Sequence, residues 1–308
     1  MRAVAFDYVA PRSLGEVLAV VARFGDDAKI LAGGQSLVPM MNMRLVRPAV
    51  LVDVNRVASL ARVEVMSSDG QPVDDAGSSA APCRAGGLRL GALVRQQALE
   101  RDQRIASCVP LLAEAAPVIG HLQTRARGTV GGSLVHADPA AELPACMLAL
   151  DATFHLESAR GRRSCRADAF FRGLMATDIA ADEVLAEVEI PAMPGERVGH
   201  GFAEVARRHG DFALVGACAV VSLDSAGACR HARLVLFGAG DVPHLARAAA
   251  GLRGERVDAA RCADVGRASA DEIDTRDDLH ATAGYRRRVA AGLAARVLTT
   301  AAARAEAA

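Results

Sequence analysis

Tryptophan is absent from this 308-residue chain, tyrosine occurs twice and phenylalanine eight times. Planar cofactors often stack on aromatic side chains. A ring bound here would therefore rest mainly on aliphatic and backbone groups, or keep one face open. Lysine is nearly missing as well: Lys29 is the only one, and arginine supplies the remaining positive charge. Lysine plus arginine and aspartate plus glutamate both total 36, so the net charge is zero. No long-range field is then available to gather nucleic acid or coat a membrane surface, and both partner classes are set aside. The seven cysteines are odd in number and widely spread, without a C-x-x-C. That argues against a disulfide framework, and against an iron–sulfur cluster carried by this chain. Small buried thiols in a reducing cytoplasm are the expectation. The eight histidines show no H-E-x-x-H or paired spacing, which disfavours zinc. No run of about eighteen apolar residues occurs, so no membrane span is expected. The opening MRAVAFDYVAPRS lacks the apolar core of a signal peptide.

What remains is a folded, globular composition, 51% hydrophobic and 23% charged, long enough for two ordinary domains. The stretch Lys29–Pro48, KILAGGQSLVPMMNMRLVRP, organises it. A short strand (Lys29, Ile30, Leu31, Ala32) runs into the pair Gly33-Gly34, then Gln35-Ser36, then a helical segment from Leu37. Paired glycines let a ligand approach the peptide plane, and successive amides of such a turn converge on an anion. Ser36 suits the N-cap of the following segment. Met40, Met41 and Met43, beside Leu37 and Leu45, read as core filler.

A second stretch, Thr124–Ala145 (TRARGTVGGSLVHADPAAELPA), reads as a loop with Gly128-Thr129 and Gly131-Gly132-Ser133. Asp138-Pro139 reads as a helix start, Asp as N-cap and Pro first, which puts Glu142 one turn later on the same face. Two glycine–serine turns can grip a diphosphate from two sides while carboxylates take ribose hydroxyls. Neither stretch has the Rossmann or P-loop spacing. His121 could reach a phosphate or satisfy loop carbonyls; Arg125 and Arg127 could neutralise a diphosphate or simply be solvated.

AGGQSLVPMMNMRL and GTVGGSLVHADPAAELPA resemble the two flavin-binding motifs of the FAD subunit of molybdenum hydroxylases. This is the medium subunit of the carbon monoxide dehydrogenase and xanthine dehydrogenase type, with a vanillyl-alcohol-oxidase-like (PCMH-type) FAD-binding fold. FAEVARRHGDFALVGACAVV, FGAGDVPHLA and DTRDDLHATAGYRRRVAAGLAARVL resemble that family's C-terminal domain, so the resemblance spans essentially the whole chain. It implies an α+β chain: a two-part FAD-binding domain, then a smaller α+β domain with an antiparallel three-stranded sheet and helices. The parts would be residues 1–57, 58–180 and 181–308.

The resemblance further implies one FAD, its diphosphate between Gly33-Gly34-Gln35-Ser36 and Thr129-Val130-Gly131-Gly132-Ser133. Lys29, Leu31, Ala32, Leu37 and Gly128 complete the two segments. Glu142 would hold ribose hydroxyls, and Ile119 and Leu185 would border the flavin. No catalytic residue and no metal ligand is expected on this chain. A large subunit with the molybdenum cofactor would hydroxylate the substrate. Two [2Fe–2S] clusters on a small subunit would pass electrons to FAD, and from there to an external acceptor, in a dimer of heterotrimers in the cytoplasm. The sequence departs from the family at Phe202-Ala203-Glu204, where a lysine near the flavin's pyrimidine edge is usual; Arg207 or Arg208 are the nearby substitutes. The competing readings are a self-sufficient FAD-dependent oxidase or dehydrogenase, which would need a base over the flavin, and a flavin-free scaffold.

Elsewhere, Ser13-Leu14-Gly15-Glu16 fits a capping box ahead of a Leu14, Val17, Leu18, Val21 stripe. Ser67–Pro82 reads as a long exposed polar loop, with a strand returning from Cys83. In EVLAEVEIP (183–191), Val184, Ala186, Val188 and Ile190 share one face, with Leu185 on the other. Composition shifts beyond Pro194-Gly195 to three antiparallel strands over 202–206, 212–223 and 231–237. A final helix over about 283–303 carries arginines 286, 287, 288 and 296, a solvated face or a dock for an acidic partner.

Overall fold

The structure, a computed structural model, describes residues 2–73, 86–193, 195 and 197–308. It begins with β1 (Asp7–Val9), α1 (Leu14–Phe24), β2 (Ala28–Leu31), α2 (Leu37–Asn42) and β3 (Val50–Asp53). Ser13 caps α1 by accepting from the Glu16 amide, while the Glu16 carboxylate reaches back to the Arg12 amide. The helix ends at Gly25, whose φ of 50° only glycine adopts cheaply. Val17 and Val21 bury its inner face against a parallel sheet in the order β1-β3-β2. Both edge strands run parallel to β3, so β2 delivers Gly33 at its carboxyl end.

The middle of the chain forms β4 (Val63–Val65), β5 (Leu88–Gly91), α3 (Gln96–Arg101), α4 (Gln103–Cys108), α5 (Pro110–Ala115), α6 (Leu122–Arg127), α7 (Val130–His136), α8 (Glu142–Ala149), β6 (Thr153–Ser158), β7 (Gly161–Arg166), α9 (Ala167–Phe170), β8 (Phe171–Gly173), β9 (Ala176–Thr177) and β10 (Val184–Ile190). Five of these strands build an antiparallel sheet in the order β4-β5-β10-β6-β7. Residues 74–85, which hold most of the polar stretch and its Cys83 end, lie outside the described residues.

Three readings of this part need correction. The stretch from Thr124 is not one loop: Thr124–Arg127 end α6, and Val130–His136 are helical. The Asp138 carboxylate accepts from Ala140 in a tight turn, and α8 starts only at Glu142, with Ala141 as N-cap. In β10 the alternation breaks. Leu185 pairs with Leu156 and Glu187 with His155, so Ala186 is an extra residue in a bulge. Leu185 consequently shares a core with Val188 and Ile190, while Val184 and Ala186 pack with the first unit.

The remainder comprises β11 (Arg197–Ala206), β12 (Ala213–Leu223), β13 (Cys229–Phe237), β14 (His244–Leu245), α10 (Ala259–Asp271) and α11 (Ala283–Ala307). The sheet has four strands, β11-β12-β13-β14, not the three expected. The fourth is two residues folded back onto Val235–Leu236, too short to leave a periodic signal. α11 lies on β11 because Gly199 and Gly201 have no side chain: a Cβ at either would strike the carbonyls of Ala301 or Val297. Arg286 is buried, not part of a solvated face. It donates to the carbonyls of Leu214 and Gly238 and to Asp278. Every residue of α8 is buried, as a helix packed between α5 and β12–β13 requires. Cys146, Cys165, Cys218, Cys229 and Cys262 are buried thiols as expected, whereas Cys108 is disulfide-bonded. Sequence spacing gives no warning of that bond, because tertiary folding makes it.

Candidate functional site

The two glycine stretches meet. A Cβ on Gly33 would stand 2.8 Å from the Gly128 Cα and closer still to the Arg127 carbonyl oxygen. Only a residue without a side chain lets the backbones touch there. Gly34 follows with φ 73° and turns the chain into α2, with Gln35 donating to the Gly33 carbonyl. Ser36 sits at the N-cap position, as its sequence context suggests, but its hydroxyl makes no capping bond. Among the described residues the amides of Gly33, Gly34, Gln35 and Ser36 donate to no backbone or side-chain acceptor. Three of these four residues, Gly33, Gly34 and Gln35, line a cavity of about 370 Å³ together with Leu31, Ala32, Val38, Pro39, Asp53, Asn55 and Arg127, and Ser36 adjoins it in sequence. Successive free backbone amides of this kind can cradle an anion.

The second stretch is built differently. Thr129 caps α7 through the Gly132 amide, at 3.0 Å. The amides of Val130 and Gly131 donate to Val94 and Ala92, and that of Ser133 to Thr129. Gly131 permits this close packing, since a Cβ would lie 2.5 Å from that of Ala92. These amides are already spent, while the Thr129 amide donates to no acceptor among the described residues, so the second stretch offers that single donor and Arg127, not a second row of amides. Buried Gln96, beside Gly128, leaves its Oε1 without a donor.

The other candidates spread over two zones. Leu31, Ala32, Gly33, Gly34 and Gln35 line the cavity; Ser36 and Leu37 begin α2 beside it, and Lys29 is exposed on β2. Gly128, Thr129, Gly131, Gly132 and Ser133 form the opposite wall and its footing. Ile119 and Leu185 are buried with Val130 in the main core beneath α7. Glu142 is buried at the start of α8, and its carboxyl is pushed up to about 7, chiefly by burial and secondarily by Asp138. Neither Glu142, Ile119 nor Leu185 lines the cavity. His121 packs against Gly210, where a Cβ would come within 2.6 Å of its ring. Arg125 is buried, paired with Glu100 and donating to the carbonyls of Ile119 and Gly120, so it serves the fold.

Three groups escaped the sequence reading. Asp53 takes hydrogen bonds from Tyr8 and Asn55, which outweigh its burial and hold its carboxyl below the ordinary range. Arg95 and Asn55 connect the two stretches, and no local pattern could reveal a contact made across forty residues. Glu204, where the family's lysine was expected, is a mostly buried carboxyl whose Oε2 has no partner. Burial, and then Glu142, raise it to about 8. Of the proposed substitutes, Arg207 is exposed and lies 3.4 Å from His280.

Among the described residues no cluster of His, Cys, Asp and Glu could hold a metal ion. No helix there is long and apolar enough to cross a membrane.

The chain matches known proteins over nearly its whole length. Residues 4–71 and 79–193 match the FAD binding domain in molybdopterin dehydrogenase, and residues 200–301 the CO dehydrogenase flavoprotein C-terminal domain. The chain is 38% identical over 302 residues to the 6-hydroxypseudooxynicotine dehydrogenase complex subunit alpha of Paenarthrobacter nicotinovorans, covering 98% of this chain and 96% of that protein. It is 34% identical over 303 residues to the carbon monoxide dehydrogenase medium chain of Hydrogenophaga pseudoflava, covering 97% and 98%. Among solved structures, quinoline 2-oxidoreductase from Pseudomonas putida 86 superposes with a TM-score of 0.87 at 38% identity, covering 99% of each chain. Carbon monoxide dehydrogenase from Hydrogenophaga pseudoflava superposes at 0.89 with 33% identity, again covering 99% of each. The fold, the paired glycine stretches and these matches together show that the chain belongs to the FAD-binding medium subunits of the molybdenum hydroxylases, an oxidoreductase family.

Proposed function

We propose that this chain relays electrons within a multi-subunit molybdenum hydroxylase, receiving them from two [2Fe–2S] clusters on a small subunit and passing them to an external acceptor. A large subunit would carry the molybdenum cofactor and select the substrate. The complex would be a dimer of heterotrimers in the cytoplasm. The boundaries proposed for the chain are residues 1–57, 58–180 and 181–308, the last part lending β10 to the centre of the middle sheet.

The observation that carries this reading is the row of unpaired amides at Gly33–Ser36 facing Arg127 across one cavity. FAD supplies a carrier that takes electrons singly or in pairs. The residues present fit it. Gly33, Gly34, Gln35 and Ser36 would donate to the diphosphate, and Arg127 would offset its charge from the far wall. Leu31, Ala32, Leu37, Gly128, Thr129, Gly131, Gly132 and Ser133 would shape the walls, with Lys29 leading into them. Glu142 would accept from ribose hydroxyls. Ile119 and Leu185, already in the dry core, would keep water from the flavin. Nothing in the chain need act as acid or base on the substrate of the complex.

The test is reduction of the purified complex by its substrate, followed at the flavin bands near about 370 and 450 nm. Bleaching of those bands within turnover supports the relay. Turnover with the flavin left oxidised would refute it.

A further inference from the structure

The amides of Val130, Gly131 and Ser133 are spent on packing within the fold, so something else must hold the second stretch at a fixed distance from the first. Arg95, just before α3, is placed to do so. One terminal nitrogen of its guanidinium donates to the Arg127 carbonyl at 2.5 Å, and the other to Asn55 Oδ1 at 2.6 Å. Asn55 in turn donates from Nδ2 to the Ala32 carbonyl at 2.9 Å and to Asp53 at 2.6 Å. Ala32 immediately precedes Gly33, and Arg127 immediately precedes Gly128. Two side chains therefore join the last residue before each glycine stretch. The backbone of Arg95 also forms a bridge with Thr129, which fixes its own position on the second wall.

The charge balance sharpens the argument. Burial, and then the neighbouring Arg127 guanidinium, make the charged form of Arg95 harder to hold, while Asp53 favours it. Two neighbouring guanidiniums, with a single carboxylate acting on Arg95, are relieved by an anion bound near them.

We propose that Arg95 is a positioning residue: with Asn55 it forms a strut that sets the width between the two glycine stretches, and hence the hold on the FAD diphosphate. This inference rests on the FAD reading above. A carbonyl displaced by a fraction of an ångström on either side would misalign the free amides. Charge-assisted hydrogen bonds are individually stronger than neutral ones, so losing two of them has a measurable effect.

The experiment uses the assembled complex stripped of flavin and titrated with FAD, with protein stability followed in parallel. Arg95→Ala is expected to weaken FAD binding by roughly 10- to 100-fold. Asn55→Ala should do much the same, and the double variant should be no weaker than the worse single, because one strut fails once. Arg95→Lys, which reaches one acceptor, should fall between. The flavin-free melting temperature should stay within a few degrees of wild type. Three results would overturn the strut: Arg95→Ala binding FAD within twofold of wild type, single effects that multiply in the double variant, or a loss of melting temperature that accounts for the weakened binding. A wild-type complex that takes up no FAD would instead sink the underlying reading, and the strut with it.

Discussion

Replacing Gly33 by alanine tests the contact on which the cavity depends. The new Cβ would stand 2.8 Å from the Gly128 Cα and nearer still to the Arg127 carbonyl, both backbone groups. Carbon pairs rest at about 3.5–4.0 Å, so the two walls must separate by roughly 1 Å. Forcing one extra methyl into a filled space typically costs about 1–3 kcal/mol. In the flavin-free protein the first wall can relax outward, since Gln35 and Ser36 are already exposed. Most of the cost is then met when FAD draws the walls back together. At about 1.4 kcal/mol per tenfold, Gly33→Ala should weaken FAD binding by roughly 5- to 150-fold. Gly34→Ala is the internal control. Its Cβ would meet only the Leu31 and Val38 side chains, at 3.2 and 3.3 Å, and the left-handed backbone adds about 1–2 kcal/mol. Its strain falls on the fold with or without ligand, so it should lower the melting temperature more than the affinity. Fluorescence titration of the stripped complex, with calorimetry beside it, separates the two. Gly33→Ala binding FAD like wild type, or losing less affinity than Gly34→Ala, would refute the converging-wall argument.

Three further outcomes are expected. Glu142 and Glu204 have folded pKa values raised from 4.5 to about 7 and about 8, so folding favours their neutral forms. The folded protein then holds more protons than the unfolded one, and stability should fall as pH rises from about 4.5 through 8. Glu204→Gln should flatten that slope in melting curves. Arg125→Ala strands the Glu100 carboxylate and two carbonyls, a loss of about 3 kcal/mol or more that lowers the melting temperature by several degrees. Gly199→Val puts a branched side chain against the Ala301 carbonyl and should detach α11 from β11, read as new protease cleavage within 283–307.

The first glycine stretch was legible because a short strand, a glycine pair and a polar turn are local signals. The second was legible as a place but not as a shape. Gly131 and Gly132 look like loop residues, yet bonds from Val130 and Gly131 to the Val94 and Ala92 carbonyls, with the Thr129 cap on Gly132, hold them in a helix that propensity alone would not form. Leu185 changed faces through one inserted residue, which a period-two reading cannot detect. Asn55 and Arg95 carried no motif at all, since their importance comes from where the fold brings two carbonyls. Arg286 looked like one more charge on a basic helix; only the β12–β13 carbonyls it satisfies show otherwise.

The strand order β4-β5-β10-β6-β7 has a kinetic consequence. Its central member is the last in the chain, so the sheet cannot zip up in the order of synthesis. β6 and β7 close as a local hairpin and β5 can pair with β4, but the other edge of β5 must wait for a strand nearly a hundred residues away. Long-range pairings of this kind slow folding and leave open edges meanwhile. In refolding followed by pulsed hydrogen exchange, amides of β6–β7 should gain protection before those that join β5 to β10. Intermolecular pairing at the open β5 edge is the expected route to aggregates.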